Sequence, residues 1–159
     1  MPSTQSLFDS LRRTVVAARK AIKVQRYDMA QALASNGLKD LYAIPFSGNE
    51  HFELAVDLLC IRGMSICLQG TKLYLAQDDF ERAGTLARLL PDEAARQRSA
   101  DASLNLALAM LCQNSNPNKA SQQLRLAESR LRQCNDEAAP KVFALIHAPR
   151  PECLAALRY

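Results

Sequence analysis

The sequence predicts an all-α protein: antiparallel helical hairpins stacked side by side, about three of them, with a short helix at the C-terminal end. Three observations predict this. Ala and Leu are abundant while Gly and Pro number only 5 and 7, and Ala and Leu lose little on entering a helix. Apolar residues recur at steps of three and four rather than two. Valine, isoleucine and aromatics are too sparse to build many strands, and the helical stretches are parted by brief turn signals, which favours antiparallel neighbours.

The first element is "SLFDSLRRTVVAARKAIKVQ", in which Leu7, Leu11, Val15, Ala18 and Ile22 form one apolar stripe. Ser6 followed by Asp9 suits its start. "YDMAQALASNGLKDLYAIP" is the second, striped by Ala30, Ala34 and Leu38 and stopped before Pro45. "FSGNE" is a loop, with Asn49 placed to cap the third helix. From His51 to Gln77 apolar residues fall on almost every face, so this segment should be the most buried helix, bent at Gly63 or Gly70. Asp78 or Asp79 then caps a fourth helix that ends at Pro91. Pro91-Asp92-Glu93 opens a fifth through "AARQRSADASLNLALAMLCQ", and "NSNPN", residues 114–118, is a turn. "KASQQLRLAESRLRQC" is the sixth, with Leu124, Ala127 and Leu131 inward, and "NDEAAPKVFALIHAP" is a shorter last helix. Residues 1–148 read as one helical domain. Residues 149–159 read as a tail, loosened by two prolines but apolar enough in "CLAALRY" to dock back as a cap or pair with a second copy.

At 159 residues the chain is long enough to bury one core. With 48% apolar and 23% charged residues its composition is that of a globular protein. The net charge of +4 is mild, and the excess is local. Residues 1–30 hold Arg12, Arg13, Arg19, Lys20, Lys23 and Arg26 against Asp9 and Asp28. Five cysteines in no CxxC pair, mostly inside apolar stretches, read as buried free thiols of a cytoplasmic protein. No metal site is expected, because the two histidines stand far from any cysteine pair. No secretory leader is visible, and the most apolar stretch, "LAVDLLCIRGMSICLQG", is interrupted by Asp57 and Arg62, so no membrane span is expected.

Catalysis has no foothold. There is no phosphate-cradling glycine loop, no HExxH and no GxSxG. His51, beside Glu50 and Glu53, reads as part of a helix start, and His147 as a surface or packing residue. No catalytic residue, cofactor or metal is expected, and the chain is read as a non-enzyme.

Three helix–turn–helix joints look alike. "AIKVQRYDMAQAL" places Tyr27 before Ala30, "YLAQDDFERAGTL" places Phe80 before Ala83, and "LCQNSNPNKASQQL" places Pro117 before Ala120. A small residue at such a joint lets two helices cross closely without leaving a cavity. The pattern resembles the tetratricopeptide repeat over about residues 6–133, best in the middle unit through Tyr74, Asp79, Phe80, Glu81, Ala83 and Ala87. It departs from that family in its displaced glycine, Gly70, in Pro117 where an aromatic is usual, and in alanine spacings of 53 and 37 instead of a constant 34.

The resemblance implies a short right-handed array with a concave side lined by the first helix of each hairpin. Carried over position by position, the lining falls on Arg12, Val15, Arg19, Ile22 and Lys23, then on Leu68, Lys72, Leu75 and Ala76, then on Asn105, Ala109, Cys112 and Gln113. A row of cations beside aliphatic positions suits a protein or peptide client bearing acidic and apolar residues. In size and architecture the chain is similar to the helical chaperones of bacterial secretion, notably of type III systems. That implies a small cytoplasmic chaperone or adaptor, with a homodimer as a further expectation. The alternative is a nucleic-acid-binding or regulatory protein that uses its basic first helix. Against it stand the lack of a recognition-helix signature and of aromatics interleaved with the cations.

Overall fold

The computed structural model describes residues 3–114 and 116–159, so Ser115 of the expected turn lies outside the described residues. The fold is all-α, as expected. Six helices run α1 Thr4–Lys23, α2 Tyr27–Ala43, α3 Asn49–Gln69, α4 Leu73–Ala87, α5 Glu93–Gln113 and α6 Pro117–Gln133. A 3-10 segment, Ala139–His147, and a short helix, α7 Arg150–Ala155, follow.

Caps set several boundaries. Ser3 accepts from the Ser6 amide at 3.1 Å to start α1, three residues ahead of the expected Ser6 start. Asp92 accepts from Ala95 N at 2.7 Å and Asn116 from Lys119 N at 3.1 Å, each holding one of the otherwise unpaired first-turn amides. At α3 the residue before the helix is Gly48, and Asn49 is the first helical residue, not the cap.

The third boundary differs most from expectation. Helix α3 stops at Gln69, Gly70 closes it in the left-handed region, and Lys72 at φ 55° turns the chain into α4. The Asp78-Asp79 pair is therefore inside α4, not at its cap. Asp79 is held there by a bidentate bond from Arg62 of α3, at 2.8 and 2.9 Å, and both partners are largely withdrawn from water.

The packing follows a rule of two rows. Each of α1, α3 and α5 pairs with the helix after it, α2 also packs on α3 and α4 on α5, and α1, α3 and α5 touch in sequence as an inner row. Helix α3, flanked by neighbours on both sides, buries residues on almost every face, as its sequence predicted.

A period now becomes visible. Inner helices begin at Thr4, Asn49 and Glu93, 45 and 44 positions apart, and outer helices at Tyr27, Leu73 and Pro117, 46 and 44 apart. The alanine fourth in each outer helix is Ala30, Ala76 and Ala120, all fully or almost fully buried. Ala83 is buried too, but it is the equivalent of Gly37 and Ala127. The joint alignment inferred from sequence thus slipped by seven residues in the middle unit, and the uneven spacings of 53 and 37 were the result.

Inner helices keep small residues in register at Ala18, Gly63 and Ala107, again all buried. The middle unit has the largest outer side chain, Phe80, where its equivalents are Ala34 and Leu124. That ring lies directly on Gly63: a Cβ there would stand 2.7 Å from Phe80 Cε1. Close approach by small residues, the physical basis of the hairpin reading, is present, but on a period of 44–46 rather than 34 residues.

The C-terminal end is docked rather than loose. The 3-10 segment packs on α6, where Arg125 lies 5.4 Å over the Phe143 ring. Helix α7 packs on α5, and Cys153 and Leu157 are buried.

Candidate partner-binding groove

The inner row of α1, α3 and α5 presents two adjoining hollows of about 280 and 410 Å3 that share Arg19, Asp57 and Arg98. Val15, Leu54, Val56 and Cys60 contribute an apolar floor, and charged groups stand along the rims. The register explains why they meet. Arg12, Asp57 and Asp101 are each the ninth residue of their inner helix, so the fold brings all three to the same side.

The charges stitch the row together. Arg12 of α1 pairs with Glu50 of α3. Asp57 of α3 receives Arg98 Nε of α5 at 3.2 Å and lies 3.7 Å from Arg19 of α1. One carboxylate thus bridges three hairpins. Burial works against the Arg98 charge, yet the Asp57 carboxylate beside it, by charge and hydrogen bond, leaves the guanidinium more firmly protonated than usual.

At the α5 end the groove meets the tail. Asn105 has a fully buried side chain whose Nδ2 donates to the Arg158 carbonyl and whose Oδ1 accepts from the Arg158 amide, both at 2.7 Å. The Arg158 guanidinium donates to Asp136 at 2.8 and 3.1 Å and to Asp101 at 3.2 Å. Those bonds hold the Asp136 carboxyl well below the usual carboxylate range, against the opposing effect of burial. Asp101 moves the other way, because burial raises it more than Gln97 and Arg158 lower it.

The expected lining residues divide in three. Arg12, Val15 and Arg19 do line the groove, and Asn105 marks its α5 end. Ile22 and Ala109 are buried in the core, and Lys23 lies exposed at the end of α1. Leu68 is half-buried at the end of α3, Lys72 forms the α3–α4 joint, Leu75 is exposed in the first turn of α4, and Gln113 is bonded to Gln77 of α4. Lys72 and Leu75 lie away from the groove because α3 ends at Gln69 and the chain turns into α4 at Lys72. The groove residues missed from sequence include the floor residues Leu54, Val56 and Cys60 and the rim residues Glu50, Glu53, Asp57, Ala94, Gln97, Arg98 and Asp101. The 44–45-residue register from Arg12 was a signal for Asp57 and Asp101.

Other chemistry-bearing groups are packed. His51 sits edge-on to Phe8 and Phe46, at centroid distances of 6.3 and 5.8 Å, and burial lowers its pKa. All five cysteines are free thiols, and burial pushes Cys67 up to about 12. Among the described residues no group of three or more His, Cys, Asp or Glu is placed to hold a metal ion, and no helix is long and apolar enough to cross a membrane. A larger hollow of about 560 Å3 lies over Leu59 between Tyr42 and α4. Its polar wall comes from α4 and Tyr42 alone, whereas the inner groove gathers charged groups from three hairpins.

The chain matches no protein-family model, no curated protein and no solved structure.

Proposed function

We propose that the chain is a non-enzymatic protein–protein interaction module, a small chaperone or adaptor of tetratricopeptide-like build, that holds a segment of a partner protein along the inner row. The single observation that supports this most is the convergence of α1, α3 and α5 on one groove with an aliphatic floor and charged rims, beside an asparagine that already grips main chain. Because Arg12 and Arg19 face Glu50 and Asp57, the groove does not select for an acidic client as the bare sequence suggested. Its rims offer both signs, which suits a mixed-charge segment with apolar anchors. A role beside a secretion apparatus, a cytoplasmic location and a homodimeric state belong to the same proposal.

Panning a random dodecapeptide library against the full chain tests the groove. Selected peptides should lose binding to an Ala94→Trp variant. Ala94 is exposed on the groove wall, so the indole fills the hollow without entering the core. Peptides that bind both chains equally would remove the groove from the function.

A second reading rests on α1 and the turn after it, where Arg13, Lys20 and Lys23 of the helix and Arg26 of the turn are exposed and have no ion pair among the described residues. Phosphate contact by that face predicts duplex-DNA binding that weakens steeply with salt, and absence of binding at low salt removes it.

A further inference from the structure

We propose that the α5 end of the groove is a receptor for an extended segment carrying an arginine after an apolar residue, and that the chain's own Leu157–Tyr159 occupies it as a tethered pseudo-ligand. This deepens the partner-binding reading above and rests on it.

The receptor is built from one fully buried amide, Asn105, and two half-buried carboxylates, Asp101 and Asp136. Asn105 uses its amide oxygen and amide nitrogen on the two main-chain groups of Arg158. Such a contact reads extended backbone rather than a particular side chain. Specificity comes from the carboxylates beside it. Gln97 Nε2 donates to Asp101 at 2.9 Å and to Asp136 at 3.0 Å, drawing together two acids from different elements. Two carboxylates so placed repel each other unless a cation lies between them, and the planar fork of a guanidinium meets both. Arg158 does this with three hydrogen bonds. Leu157 supplies the apolar anchor and is 7% exposed.

The tail leaves room for a competitor. Tyr159 is 47% exposed and stands at the edge of the 410 Å3 hollow, which continues past it to Arg98, Asp57 and Arg19. Leu157 and Arg158 hold the Asn105 site, and a partner segment with the same apolar–arginine pair that also enters the hollow beside Arg98, Asp57 and Arg19 gains contacts that these two residues do not make. Docking in trans therefore displaces the tail, and the tail in turn screens the groove against weaker segments.

The test uses a fluorescein-labelled peptide of residues 152–159 carrying Cys153→Ser, with fluorescence polarisation as readout. The full chain bearing Arg158→Ala, whose tail has lost its guanidinium contacts, should bind the peptide about tenfold more tightly than the wild type, since its site is open for a larger fraction of the time. Adding Asn105→Ala to that chain should weaken binding by about tenfold or more while the helical circular dichroism is kept. Equal affinity for wild-type and Arg158→Ala chains, or indifference to Asn105→Ala, overturns the proposal. Should the Arg158→Ala chain not fold, the wild type decides. Exchange of the Arg158 amide hydrogen should quicken as unlabelled peptide is added, and unchanged exchange overturns the proposal. If library peptides sensitive to Ala94→Trp are found while the tail peptide fails, only the tethered-ligand inference falls. If both fail, the groove reading falls with it.

Discussion

Gly63→Ala should destabilise this protein, although glycine to alanine in mid-helix ordinarily stabilises. Alanine returns about 1 kcal/mol of helix propensity at an interior position. Against that, the new Cβ would lie 2.7, 2.9 and 3.0 Å from three carbons of the Phe80 ring, where ordinary contact begins at 3.4 Å. The ring is 1% exposed and packed into the core, so it can yield only by shifting its neighbours or moving toward the hollow of about 270 Å3 that it borders beside Leu106 and Met110. Overpacking of that kind costs about 1–3 kcal/mol, so the net effect is a loss of up to about 2 kcal/mol, which lowers Tm by up to about 4–8 °C for a chain of this size. Urea unfolding followed by circular dichroism measures it. Gly37→Ala serves as the control. Its Cβ would meet the branched end of Leu58 at 3.1 Å, a milder approach than the Phe80 ring makes to Gly63, so Gly37→Ala should lose less stability than Gly63→Ala, by about 1 kcal/mol. Phe80→Leu should relieve the Gly63→Ala strain, so that the double variant loses less than the sum of the singles. A Gly63→Ala chain more stable than the wild type by the full propensity gain would refute the claim that close helix approach sets the geometry of the middle hairpin.

Asp79→Ala strands the Arg62 guanidinium between α3 and α4, and a loss of about 3 kcal/mol is expected by thermal or urea unfolding. Cys60 and Cys67 should resist Ellman's reagent at pH 8 in the folded chain, since burial raises both thiols. Their folded pKa values lie above the unfolded value of about 8.5. The stability they contribute is therefore complete below that pH and is lost as pH rises towards about 12, which a Tm series across that range follows. Asp136 has the opposite sign. Its folded pKa is depressed by Arg158, so its contribution is present above about pH 4 and is lost as pH falls through the folded value. The Asp136 side-chain signals in an NMR titration of the folded chain should keep their carboxylate positions through about pH 4 and move only well below it.

How much of this was legible in the sequence varies by element. The helices bounded by strong local signals stood out: Asp92 and Asn116 cap where their residue types suggest, and Pro45 follows the end of α2 by two residues. The α3–α4 joint was hidden for a physical reason. Its turn is made by Gly70-Thr71-Lys72, with a lysine in the left-handed region, and an aspartate pair nearby imitates a cap. Asp79 is there for Arg62, seventeen positions earlier, and no local pattern announces such a partner. That single error displaced Lys72 and Leu75 into the groove and hid the repeat. Of the groove itself, α1 was readable because its cations cluster in sequence. The acids that answer them lie on α3 and α5.

The sequence alone determined that the fold is all-α, where its apolar stripes run, and that small residues would stand where helices cross. Those are properties of neighbours within a turn or two, set by side-chain entropy and periodicity. Only the tertiary structure decided that α1, α3 and α5 form one row, that Asp57 neutralises arginines from two other hairpins, and that the tail lies in the clasp of Asn105. These pairings span many residues, and their strength comes from burial and low local dielectric, which exist only once the hairpins have closed on one another.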